Sequence, residues 1–228
     1  MNLRHSQLPS GNECAQHSIL KPALSEHLLE QMLTPSNLRQ AWKRVKANKG
    51  KPGVDGVSIE AFPAYLKQHW EAIHQQLRAG TYKPSPVRRI RIPKPDGGEC
   101  LLGIPTVMDR VIQQAILQVL TPIFDPTFSE HSYGFRPKRN AGQAVKCLQS
   151  SIKTGYKIAV DVDLSKFFDR VNHDLLMNRP ARKVSDKGIK KLIGKYLRAG
   201  IRENGWHYKT TEGVPQGGPV SPVLFRRN

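Results

Sequence analysis

The chain has 228 residues, 38% of them hydrophobic, and its 36 lysines and arginines against 18 aspartates and glutamates leave a formal charge of +18 at pH 7. That length accommodates one ordinary domain or two small ones, and such a charge is expected where a polyanion must be gathered and its counterions displaced, so nucleic acid is the leading partner. No apolar run approaches the roughly 20 residues of a spanning helix and no signal-type segment is recognisable, so a soluble, cytoplasmic chain is expected, with no membrane partner.

The stretch 1–27 mixes Ser, Pro, Asn and His with little periodicity and is expected to be a flexible tail. From Ser36, read as an N-cap, Leu38, Trp42 and Val45 form a short apolar stripe that ends at Lys49-Gly50. Gly50-Lys-Pro-Gly-Val-Asp-Gly56 is turn chemistry throughout. A second helix carries Phe62, Leu66, Trp70, Ile73 and Leu77 on one face, with Gly80 past its end. At Val87–Pro93 the period changes to two: Ile90 and Ile92 alternate with Arg89 and Arg91, predicting a strand that buries the isoleucines and presents the arginines.

Pro95-Asp-Gly-Gly98 supplies a turn, and Leu101-Leu102 before Gly103 predicts a short return strand. Thr106 can cap a helix in a box-like arrangement with Asp109, after which Met108, Val111, Ile112, Ala115, Ile116, Val119 and Leu120 hold one apolar face as far as Pro122. Lys157–Val162 is a β-prone run, and Ile189, Leu192, Ile193, Tyr196 and Leu197 mark a later basic helix ending near Gly200. Strands and helices alternate without a βαβ rhythm, which predicts an α+β fold.

Cys14, Cys100 and Cys147 have neither disulfide-framework nor zinc spacing, and the eight histidines lack metal-motif companions. Taken alone, Asp161, Asp163 and Asp169 read as solvated acids at a strand edge. Transfer of a nucleotide onto a growing strand, however, uses two divalent cations held by carboxylates, one activating the 3′ hydroxyl and one neutralising the pyrophosphate. Asp163 at a strand end, with the Leu164 carbonyl beside it, suits a hard Mg²⁺ ion.

Context gives these acids their meaning. Asp163-Leu-Ser-Lys-Phe-Phe-Asp169 directly follows the β-prone run, and Gly213-Val-Pro-Gln-Gly-Gly-Pro-Val-Ser-Pro222 comes after it. Upstream stand Ile90-Arg-Ile-Pro-Lys-Pro-Asp-Gly-Gly98, Leu102-Gly-Ile-Pro-Thr106 and Tyr133-Gly-Phe-Arg-Pro137. In order and spacing this set resembles the reverse transcriptases encoded by bacterial group II introns, over about residues 28 to 224.

The resemblance implies a right-hand polymerase fold with fingers and an incomplete palm behind an N-terminal helical extension. The stretches are 28–87 for the extension, 88–156 for the fingers and 157–228 for the palm. It makes Asp163 the motif A metal ligand, with Leu164 lending a carbonyl to the same Mg²⁺ and facing the nucleotide. Phe168 becomes the bulky residue beneath the incoming sugar that excludes a 2′-OH, and Gln216 and Gly217 become motif B contacts to the nascent pair. Lys94 is the fingers lysine on the triphosphate. Arg89, Arg91, Arg136, Lys138 and Arg139 are expected to touch template or primer backbone.

The sequence also departs from the family. Cys100 stands where an arginine usually grips the triphosphate, Leu101 replaces a usual proline, and Pro180 falls within the helix expected after motif A. No Asp-Asp pair occurs anywhere in the 228 residues. The resemblance therefore implies an RNA-directed DNA polymerase whose partners are RNA template, intron RNA, DNA primer and deoxynucleotides, inactive as it stands because the second carboxylate motif is missing. The alternatives are a non-catalytic RNA-binding fragment and a decayed gene product.

Overall fold

The computed structural model describes residues 26–93, 95, 97–163, 167–214 and 217–225; most of the expected tail lies outside them. The chain opens with α1 (Leu28–Leu33) and α2 (Pro35–Ala47), then α3 (Phe62–Arg78). The expected cap at Ser36 is two residues too late: Thr34 is the N-cap and Pro35 takes the first helical position, where it loses no hydrogen bond. The hairpin β1 (Val87–Pro93) and β2 (Glu99–Ile104) leads into α4 (Val107–Phe124). Then come α5 (Ala141–Lys153), α6 (His173–Ala181), α7 (Lys187–Leu197), β3 (Ile201–Glu203), β4 (Trp206–Tyr208) and α8 (Ser221–Phe225).

α4 is the central pillar. Val107, Ile112, Ala115, Ile116 and Leu120 are fully buried on it, and α1, α2 and α8 pack around it. A helix apolar on most of its circumference must be enclosed, and burying each such side chain stabilises by about 1.5–3 kcal/mol. Thr106 caps it as expected, its hydroxyl accepting from the Asp109 amide at 3.0 Å. Asn37 ties α2 to the pillar by donating to the carbonyls of Met32 and Ala115. Asp186 joins two other helices: one carboxylate oxygen caps α7 at Ile189 N, and the other accepts from Leu29 N at the start of α1. One cluster of buried side chains therefore runs from Leu28 to Leu224.

The sheet has the order β2-β1-β3-β4. β1 and β2 pair antiparallel, with Ile92 opposite Cys100; β1 and β3 pair parallel, Val87 opposite Ile201; β3 and β4 close an antiparallel hairpin. The mixture of helices with this small mixed sheet is α+β, as the sequence predicts. Among the described residues, no helix is long and apolar enough to cross a membrane.

Two expectations fail. β1 does not separate a buried isoleucine face from an arginine face: it is buried only at Val87, and Ile92 is 43% exposed. The outer half of the hairpin projects past the core, so no layer covers either face. The run Lys157–Val162 forms no strand. Ile158, Val160 and Val162 are exposed, because none of the described strands pairs with this segment and the alternating pattern has no apolar layer to enter.

Candidate nucleotide and nucleic-acid site

Three elements converge where the sequence places the chemistry: the turn after Asp163, the loop beginning at Gly213, and the corner between β2 and α4. The exposed Asp163 precedes a 3₁₀ turn at Phe167–Asp169. Phe168 is half-buried and meets Phe167 edge-on, the ring centroids 5.4 Å apart at 74°. The turn holds the loop through its backbone. Val214 N donates to the Phe168 carbonyl at 2.7 Å, and Gly213 N donates to that of Val171 at 2.8 Å. From the other side the buried His173 donates through Nε2 to the Gly213 carbonyl at 2.7 Å. Gly213 has a φ of +75°, and a Cβ there would lie 2.6 Å from the Asp169 carbonyl oxygen, so only glycine permits this approach.

The same loop then reaches the β1–β2 hairpin. Gly217 adopts φ +119°, and a Cβ on it would lie 2.6 Å from the Gly103 carbonyl oxygen of β2. A cavity of about 200 Å³ sits at this junction, lined by Arg89, Leu101 and Gly103 from the hairpin and by Asp169, Glu212 and Gly213 from the turn and loop. The loop thus meets the Phe168 turn through Val214 and β2 through Gly217. Lys94, Leu164 and Gln216, the other expected nucleotide contacts, lie outside the described residues.

The β2–α4 corner is fixed by a buried carboxylate that sequence inspection assigns only to a cap. Asp109 is 1% exposed. It accepts from Tyr82 Oη at 2.8 Å, Tyr196 Oη at 3.1 Å, Thr106 Oγ1 at 2.7 Å and Ser85 N at 3.2 Å. Burial raises its pKa above the ordinary carboxylate value, against the opposing pull of these donors, and burial likewise raises both tyrosines. Lys195 of α7 adds a clamp by donating to the carbonyls of Gly80 and Tyr82. Together these contacts hold the approach to β1 against α4 and α7.

The five basic residues expected on nucleic acid have different surroundings. Arg89 and Arg91 both reach Glu203 on β3, at 3.7 and 3.0 Å, and Arg91 also meets Glu99 at 3.0 Å. Arg136 is folded inward with its side chain 7% exposed, 2.8 Å from Asp125. Arg139 lies over the Tyr133 ring at 5.7 Å and donates to the Glu130 carbonyl. Lys138 is exposed at φ +60°. The arginines at 89 and 91 stay at the surface, whereas Arg136 also has a structural task.

Mg²⁺ takes an octahedral set of oxygens. Among the described residues no three Asp, Glu, His or Cys side chains converge on a metal-sized site. The described carboxylates therefore do not make up a complete two-cation centre, and Asp163 is the one expected ligand whose position is described.

Comparison with known proteins accounts for this arrangement. Residues 92–228 match the family model described as reverse transcriptase (RNA-dependent DNA polymerase). The protein YkfC of Escherichia coli K12 is 37% identical over 87% of this chain and 54% of its own length. The group II intron-encoded protein LtrA of Lactococcus lactis subsp. cremoris is 35% identical over 86% of this chain and 33% of its own. The chain thus spans about half and a third of these relatives. Among solved structures, a partial Cas6-RT-Cas1–Cas2 complex superposes with a TM-score of 0.58 at 25% identity, covering 98% of this chain and 36% of that one. The chain belongs to the reverse transcriptase family, in the branch of group II intron-encoded reverse transcriptases and maturases.

Proposed function

We propose that this chain supplies the fingers and the motif A and B portion of an RNA-directed DNA polymerase acting on group II intron RNA in the cytoplasm, with residues 28–87 as a helical extension. The observation that carries this reading is the backbone lock between the Phe168 turn and the Gly213 loop, set against the β1–β2 hairpin. A nucleotide entering there would rest its sugar over Phe168, its base pair against Gln216 and Gly217, and its triphosphate toward Lys94. The positive charge of Lys94 would oppose the charge of the leaving pyrophosphate. Arg89, Arg91, Lys138 and Arg139 would flank the template and primer backbones, giving salt-sensitive binding, while Arg136, folded onto Asp125, holds the loop that presents Lys138.

Mg²⁺ would be held by Asp163 with the Leu164 carbonyl. Two cations need further carboxylates, and these 228 residues contain no Asp-Asp pair. On this reading the chain by itself binds RNA and primer without extending them. The test is primer extension on an RNA template with Mg²⁺ and deoxynucleotides, beside an Asp163→Asn control, with RNA gel shifts at two salt concentrations. Salt-sensitive RNA binding without extension is expected. Extension abolished by Asp163→Asn would show that another chain completes the centre, and absence of both binding and extension would reject the reading.

A further inference from the structure

We propose that the loop around Phe135, with the cavity beside it, is a receptor for an unpaired RNA base; this rests on the RNA-binding reading above and adds a site to it. Phe135 is 89% exposed, and its φ is +49°. A bulky residue in the left-handed region is strained, and its exposed ring gains nothing from the core. Both costs are imposed by the neighbour. Arg136 is drawn inward, donating to Asp125 Oδ1 at 2.8 Å and to the carbonyls of Asp125, Ser129 and Ser132 at 3.0, 2.7 and 3.2 Å. Its guanidinium also lies 5.7 Å from the Phe128 ring. With Arg136 anchored and Pro137 fixing the next backbone angle, the Phe135 ring is presented outward from a rigid support.

Beside this ring opens a cavity of about 420 Å³ between α2 and α4, with walls that include Leu117, Pro122 and Phe128. That volume suits a small planar ligand. Polar groups stand within the same lining: Gln40 and Arg44 from α2, and Gln118, whose Oε1 is buried with no hydrogen-bond partner among the described residues. Arg136 is neutralised by Asp125, so the remaining lining charge is the positive one of Arg44, and the exposed Lys138 lies just past the loop. Aromatic face, apolar slot and cationic rim are what a base and its phosphate require; single-stranded RNA is recognised by splaying bases onto aromatic rings. An apolar protein segment would make no use of the cationic rim.

The experiment measures binding of a short fluorescein-labelled single-stranded RNA containing 5-iodouridine to the full chain and to its Phe135→Gly and Phe135→Trp variants. Phe135→Gly is expected to weaken binding by about tenfold, the effect of losing one stacked base, while the melting temperature is unchanged or higher because glycine accepts the left-handed backbone. Phe135→Trp should retain affinity, and irradiation should cross-link iodouridine to the peptide containing Phe135. Undiminished, salt-sensitive binding by Phe135→Gly rejects the receptor and leaves the RNA-binding reading standing. Failure of the unmodified chain to bind RNA rejects both. Dissociation of an oligomer by Phe135→Gly at unaltered RNA affinity would make this a protein contact and also reject the proposal. Should Phe135→Gly misfold, the cross-link map on the unmodified chain decides, and cross-links confined to other peptides overturn it.

Discussion

Tyr82, on the approach to β1, donates a 2.8 Å hydrogen bond to Asp109 in the first turn of α4, and Tyr196 from α7 donates to the same carboxylate oxygen at 3.1 Å. Three distant segments are joined at one buried group. Burial raises the Asp109 pKa from its ordinary value of 3.8, so the folded chain binds this proton more tightly than the unfolded one. Its contribution to stability therefore falls as pH rises from about that value through the folded-state pKa. The Asp109→Asn variant should lose this component of the pH slope. At neutral pH it should also be less stable by about 1–3 kcal/mol, since an amide group would face the Ser85 N–H donor. Thermal unfolding across a pH series checks both.

Gly217→Ala tests the contact between the loop and β2. An alanine Cβ would press on the Gly103 carbonyl at 2.6 Å while holding a φ of +119°. Together these should cost about 2 kcal/mol or more locally and release the loop from the hairpin. Limited proteolysis should then cut near residue 217 faster, while α4, enclosed elsewhere, stays protected.

Arg136 and Lys138 should separate cleanly. Removing Arg136 leaves Asp125 and three carbonyls without their donor, so Arg136→Ala should destabilise the chain by about 3–5 kcal/mol. Any loss of RNA binding in that variant should track its lower melting temperature. Lys138→Ala should leave melting unchanged, weaken RNA binding, and reduce the slope of log affinity against log salt by about one.

Glu203 acts on both β1 arginines from β3 and is largely shielded, its side chain 14% exposed. Glu203→Gln removes the competing negative charge and should raise RNA affinity a few-fold at low salt, with the gain fading as salt rises. An unchanged affinity would mean that Arg89 and Arg91 do not meet the backbone of the bound strand.

The parts of the fold that can be read in the sequence are those governed by local period and capping. β1, α4 and α7 follow from Ile90 and Ile92, from Thr106 with Asp109, and from the stripe ending at Leu197. α5 also carries a local signal in its Asn140–Gln143 capping box, although none of its residues is buried. β3 and β4 are three residues each, too short for a period; β3 forms because β1 offers it an edge, and β4 because β3 offers it the next. The meeting of Phe168 with the Gly213 loop is legible from motif order. The Tyr82–Asp109–Tyr196 cluster is not, because no spacing rule links three side chains from separate segments. The ion partners of Arg91 and Arg136 are hidden for the same reason: charge is visible in a sequence, but its neutralisation depends on tertiary placement.

The parallel register of Val87 with Ile201 has a consequence for how the protein is made. β1 and β2 leave the ribosome together, but β3 follows only after α4, α5, α6 and α7 have been synthesised. At about 5–20 residues per second the nascent hairpin waits for several seconds with one edge open. Closing so long a loop is entropically slow compared with the local hairpin. During that interval the waiting edge is where chaperones would bind and where mispairing between neighbouring nascent chains would begin.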